Sequence, residues 1–229
     1  MKNLQKQNGF TLIEIAIVLV IIGLLLGGVL KGQELINSAK VKNLAGDFRN
    51  IPLFIYGYQD KFKALPGDDA NATTHVGSAA QAAGVTLLTP AALTLGNGRL
   101  EGNYNSTNNQ DETVAFWQQV RLANLASGTT DFTTNGVAAA MPTNAEGGRI
   151  GIQSTAPITG MNGSYFVCSD GIQGKFAKQI DTTLDDGNTA QGSVRVAIGP
   201  YTGTALAAVP TTGANGIVDS NVYIVCMSL

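Results

Sequence analysis

Between Phe10 and Leu30 the chain reads FTLIEIAIVLVIIGLLLGGVL, 21 residues whose single charge is Glu14. As an α-helix rising about 1.5 Å per residue, this run is ~31 Å long, close to the roughly 30 Å hydrocarbon core of a bilayer. The stretch before it, MKNLQKQNG, is polar and carries Lys2 and Lys6. A secretory signal peptide does not account for the pattern, because the run is too long and Val29-Leu30-Lys31-Gly32 offers no A-x-A-like cut site. A plain single-pass anchor leaves Glu14 unexplained: a carboxylate in hydrocarbon is costly unless partnered, and the run holds no basic residue. Lys31, Lys40 and Lys42 compete with Lys2 and Lys6, so flanking charge leaves the orientation open.

Downstream of this run the helical period continues with a changed character. Val41, Leu44, Phe48, Ile51, Ile55, Tyr58 and Phe62 recur at steps of three and four and form one apolar stripe. Lys40, Lys42, Asp47, Arg49, Gln59, Asp60 and Lys63 fall mostly between them. The spacing predicts a helix from Phe10 to about Ala64, ended by Leu65-Pro66-Gly67, with its second half packed on a globular head. Pro52 removes one helical hydrogen bond and is expected to kink the rod. Gly23, Gly27 and Gly28 lie in the apolar half, where glycine permits close helix packing but costs about 1 kcal/mol relative to alanine.

Beyond Pro66 the chain turns rich in Gly, Ala, Asn and Thr. Residues 67–109 read as a long loop region with small local elements. A second helix is predicted over Asp111–Ala126, with Phe116, Val120 and Ala123 on one face and Trp117 as a core anchor. Four runs of β-branched and aromatic alternation follow as strands: Arg149–Gln153, Ser164–Cys168, Ser193–Ile198 and Asn221–Met227. Between the second and third, Ala177, Ile180 and Leu184 predict a short helix over Lys175–Leu184. This order gives an α+β fold in which a long N-terminal helix packs against an antiparallel sheet.

Composition narrows the function. Charged residues make up 13% and the formal net charge is −2, so a generally basic, nucleic-acid-binding surface is not expected. One histidine, His75, and two cysteines, Cys168 and Cys226, are too few for a four-coordinate zinc site, and any His-dependent triad would run through His75. Neither a phosphate-binding G-x-x-x-x-G-K-[ST] loop nor a G-x-S-x-G elbow occurs. Neither catalysis nor a cofactor is expected. Asp181, Asp185, Asp186 and Asn188 form one candidate calcium cluster, and Asp68, Asp69 and Asn71 another, because hard oxygen ligands suit that ion. Turn formation and helix ending explain both clusters without a metal, and EF-hand spacing is missing, so no metal is assigned.

Gly9-Phe10-Thr11-Leu12-Ile13-Glu14, after a short basic leader and before an apolar helix, resembles the class III signal of type IV pilins and type II secretion pseudopilins. The resemblance is specific over residues 1–66 and architectural afterwards. It implies a pilin-like fold divided into a leader (1–9), a transmembrane and filament-core helix (10–30), an amphipathic helix half (31–65) and a head with a C-terminal disulfide region (66–229). It further implies cleavage between Gly9 and Phe10 by a prepilin peptidase, N-methylation of Phe10, and pairing of Glu14 with the N-terminal amine of a neighbouring subunit. Gly23 to Gly28, with Pro52, would give the helix flexibility during assembly.

An exported head faces an oxidising compartment, where Cys168 and Cys226 are expected as a disulfide, the alternative being two separate buried thiols. Closing a loop of about 59 residues would stabilise the head by ~4 kcal/mol in the chain-entropy model. The function implied is a structural subunit, anchored in the inner membrane and then polymerised into an extracellular pilus of the kind used in adhesion. Its partners would be copies of itself and related pilins, the peptidase and an inner-membrane assembly platform. A pseudopilin in a periplasmic pseudopilus of a type II secretion system is the alternative; a membrane-anchored exported enzyme is a third class, for which no motif speaks.

Overall fold

A computed structural model describes residues 11–90 and 95–229; Gly9, Phe10 and the expected cleavage between them lie outside the described residues. Contacts divide the chain into a unit ending at Lys40 and a second unit, Val41–Leu229. In the first unit the described chain is helix from Leu12 onward, the start of α1 (Leu12–Phe62). Every residue from Thr11 to Leu30 is exposed, and the apolar window of this helix has a mean hydropathy of 2.8. The helix is long and apolar enough to cross a membrane. It remains helical through Gly23, Gly27 and Gly28.

In the second unit α1 buries Val41, Leu44, Ala45, Phe48, Ile51, Ile55 and Tyr58, the stripe the sequence spacing predicts, while Phe62 is partly buried. Pro52 sits inside the helix rather than ending it. The end comes two residues before the expected Ala64: Lys63 takes a left-handed backbone, φ 56°, and its N–H donates to the Gln59 carbonyl at 2.8 Å. Gly67, at φ 90°, then passes so close to α4 (Glu112–Leu122) that an added Cβ would lie 2.5 Å from the Glu112 carbonyl oxygen. Its N–H donates to Gln119 Oε1 at 2.7 Å, which locks the turn after α1 onto α4.

Two short helices, α2 (Ala72–His75) and α3 (Gly77–Ala83), occupy part of the region expected to be loop. The second long helix is shorter than Asp111–Ala126. Asp111 is its extended N-cap, and Asn124 at φ 61° turns the chain just after it. All of its residues are buried, so α4 is a central helix and not the one-faced helix expected from Phe116, Val120 and Ala123. Arg121, near its end, donates to the carbonyls of Thr129 and Ala140, tying down the segment that holds α5 (Val137–Ala140). Trp117 is buried, as a core anchor should be.

The sheet contains β1 (Ile150–Gln153), β2 (Phe166–Gln173), β3 (Val194–Ala197) and β4 (Val222–Ser228), with α6 (Gly174–Leu184) following β2 directly. All pairs are antiparallel, in the order β1-β2-β4-β3. Side chains alternate across it. Val167, Val225, Val194 and Val196 join the core that holds the α1 stripe and α4. Phe166, Cys168, Ile224 and Cys226 join a second core with Tyr104, Ile158 and Tyr201. The sheet is thus covered on both faces, and the cysteines lie on the face turned away from α1. The fold is α+β, with a long apolar N-terminal helix and a four-stranded antiparallel sheet, consistent with a pilin fold.

Candidate processing and assembly site

The first turn of α1 is built by Thr11 and Glu14. Glu14 Oε2 accepts hydrogen bonds from the Thr11 N–H (2.8 Å) and the Thr11 hydroxyl (2.7 Å), and Thr11 Oγ1 accepts from the Glu14 N–H (3.3 Å). This reciprocal pair is a capping box, in which two otherwise orphaned donors at a helix start are satisfied. Its sequence signature is Thr-x-x-Glu before an apolar run, residues 11–14. No ion pair among the described residues engages Glu14.

Above this cap the helix presents Leu12, Ile13, Leu19, Val20, Leu24, Leu25 and Leu30 at 62% exposure or more. Nothing within the first unit crowds its glycines: a Cβ added at Gly23, Gly27 or Gly28 meets no atom within 4 Å. A long, uncovered apolar surface of this kind is soluble only in lipid or against other apolar surfaces.

Cys168 and Cys226 are joined in a disulfide. They are direct partners in the β2–β4 register, with Cα atoms 4.1 Å apart, so the separate-thiol alternative does not apply. The acids of the calcium candidate at Asp68, Asp69 and Asn71 divide their work. Asp68 accepts the N–H groups of Gly96, Asn97 (3.3 Å) and Gly98 (2.6 Å), clamping that loop. Asp69 Oδ2 accepts from the Tyr58 hydroxyl (2.8 Å) and contacts His75 Nδ1 (2.7 Å), and its Oδ1 accepts the Asn71 N–H (2.8 Å). Burial, and then Asp69, raises the Tyr58 phenol above its ordinary range. These carboxylates are consumed by the protein's own donors. His75 stacks on Phe62, with ring centroids 5.0 Å apart, and neither cysteine is available as a nucleophile, because both are in the disulfide. Asp181, Asp185 and Asp186 are brought together at the end of α6, and the Asn188 N–H is bound to Asp186 at 2.8 Å.

Residues 4–30 match the family model of the prokaryotic N-terminal methylation motif. The chain therefore carries the class III prepilin signal of type IV pilins and pseudopilins, on the helix whose apolar surface lies uncovered. The match covers the signal and the apolar helix and does not extend into the head. No curated protein matches the chain. A prepilin-type start of this kind is that of a structural subunit, and its apolar helix fits membrane anchoring before assembly.

Proposed function

We propose that this chain is the precursor of a type IV pilin-like subunit. It is cut between Gly9 and Phe10 by a prepilin peptidase, methylated on the new Phe10 amine, and assembled into a helical cell-surface filament. The carrying observation is the exposed apolar helix that follows the methylation motif. Before assembly lipid covers it; in the filament the same helix of other subunits does. The division into leader (1–9), membrane and core helix (10–30), amphipathic half (31–65) and head (66–229) follows from this scheme. Removing Lys2 and Lys6 takes the formal charge from −2 to −4 per subunit. The filament surface is then mildly acidic, which disfavours DNA capture by simple attraction.

Glu14 pairs with the amine of a neighbour's Phe10, and a subunit out of register leaves that charge unpartnered, so the pair sets registry more than stability. Partners are further copies and related pilins, the peptidase and an inner-membrane assembly platform. The disulfide-bonded head, large beside the signal helix, favours a pilus over a periplasmic pseudopilus. Electron microscopy of cells with and without the protein tests the reading. Loss of surface fibres is the expected result; intact fibres with failed protein export would assign the chain to a type II secretion pseudopilus instead.

A further inference from the structure

We infer that the cleft between the second half of α1 and α4 is a binding site for a carboxylate, built on Arg121 and Trp117. These residues stand at i and i+4 on α4, so their side chains share one face of it. Both line a cleft of about 190 Å³, together with Asp47 and Ile51 of α1, Pro142, and Ile150 of β1. Both are deeply buried, Arg121 at 7% exposure and Trp117 at 4%.

The guanidinium is only half satisfied. Nη1 donates to the carbonyls of Thr129 (2.8 Å) and Ala140 (2.7 Å), but Nε is buried without an acceptor, and no hydrogen bond among the described residues reaches Nη2. Trp117 Nε1 is likewise buried without an acceptor. The rings of Trp117 and Phe132, with centroids 5.9 and 5.4 Å from Cζ, favour the cation but accept no conventional hydrogen bond from it. No ion pair among the described residues engages Arg121, and burial lowers its guanidinium from the ordinary value. Buried donors and a buried charge left in this state are costly, and an anionic acceptor relieves both.

The lining selects the ligand. A guanidinium edge takes the two oxygens of a carboxylate in parallel hydrogen bonds, and the indole N–H is a donor only. Asp47 makes no ion pair with Arg121, and burial raises its carboxyl above the ordinary range. Its charge in the same cleft disfavours a dianion such as phosphate and leaves a monocarboxylate. Ile51, Pro142 and Ile150 offer the carbon chain an apolar wall. The volume is below the roughly 300 Å³ at which ordinary ligand pockets begin, so it suits a short-chain acid or the tip of an acidic side chain. The inference is independent of how the chain is processed or assembled.

Trp117 is the only tryptophan, so its indole N–H gives a single reporter resonance. The test uses the full chain, labelled with nitrogen-15 and purified in detergent, titrated at pH 7 with sodium acetate and, in parallel, with sodium chloride. Acetate should move the indole resonance to saturation with a Kd on the order of 1 mM, a strength within reach of so small a ligand, and chloride should not. Should the carboxylate come from a second copy of the chain, the same shift grows with protein concentration before acetate is added, and acetate reverses that concentration dependence. Arg121→Lys keeps the charge but loses the planar fork and should weaken acetate at least about 10-fold. Asp47→Asn removes the like charge and should tighten acetate several-fold; Asp47 is half-buried on α1, so this variant decides the matter even where Arg121→Lys folds poorly. No saturable indole shift with acetate or with protein concentration, an equal shift with chloride, or an acetate affinity unchanged in Asp47→Asn overturns the site.

Discussion

Thr11 and Glu14 hold each other at the start of α1 through three hydrogen bonds, and this makes the signal's acid part of its own helix cap. Within a single subunit Glu14 is therefore satisfied locally, which lowers the cost of holding an acid in an apolar run. The two roles are separable. Thr11→Val removes the cap and leaves the acid; Glu14→Gln leaves an acceptor for the cap and removes the charge. If Glu14 pairs with a neighbour's amine, Thr11→Val cells still make filaments and Glu14→Gln cells do not. Sheared-filament yield measures this, and wild-type yield from Glu14→Gln would refute the pairing.

The glycines of α1 make a second prediction. Nothing in the described subunit needs them, because an added Cβ at Gly23, Gly27 or Gly28 meets open space. Alanine there should stabilise the isolated helix by about 1 kcal/mol per site, seen as slower amide exchange in detergent. If the glycines serve helix packing or melting in the filament, the Gly27→Ala/Gly28→Ala variant loses several-fold in filament yield although its subunit is firmer. Unchanged yield in that variant removes assembly as their reason.

Asp131 supplies a pH signature of the head. Hydrogen bonds from Thr134 and Thr133 hold its carboxyl well below the usual carboxylate range; the Thr133 N–H donates at 2.8 Å and the Thr134 N–H at 3.0 Å. With the folded value lowered, the unfolded chain binds the proton more readily. The contribution is thus present above the ordinary Asp value of about 4 and is lost as pH falls through the folded value. Asp131→Ala should melt below wild type at about pH 6, and the gap should close progressively below about pH 4. A gap independent of pH would mean that the side chain acts by something other than its charge.

Much of this architecture is legible in local patterns. The α1 stripe from Val41 to Tyr58 is buried residue for residue as its spacing predicts, because a helix that packs along one side must repeat every three to four positions. The strands fall where β-branched alternation puts them, but β2 runs on to Gln173 rather than stopping at Cys168. Past Cys168 the register shifts between Ser169 and Ile172 and the strand continues to Gln173, a bulge that only the pairing with β4 reveals. The burial of α4 on every side was hidden for a similar reason. Its polar members Gln118 and Gln119 look solvent-facing, yet they donate to or accept from backbone groups of distant loops, such as Leu88 and Gly67. Tertiary hydrogen bonds of this kind leave no periodic trace. At the N-terminus the signal motif and the apolar run are legible directly, and Thr11 completes the pattern as the cap that holds Glu14.

The disulfide can be judged by what lies between its ends. Cys168 and Cys226 are 58 residues apart in sequence and directly opposed in β2 and β4, so the intervening chain, including α6 and β3, is closed into one loop. Without the link, the unfolded chain gains the entropy of an open loop of that length, ~4 kcal/mol in the chain-entropy model. At about 2–4 °C per kcal/mol for a chain of this size, the Cys168→Ser/Cys226→Ser variant should melt roughly 8–16 °C lower. Amide exchange should speed up most in β3, whose partner is β4 alone among the named strands, and less in β1 and in the Val41–Tyr58 part of α1. Reduction of the wild-type protein should reproduce the same shift. A double variant that melts with the oxidised protein would show that the two cores flanking the sheet hold β2 and β4 together unaided.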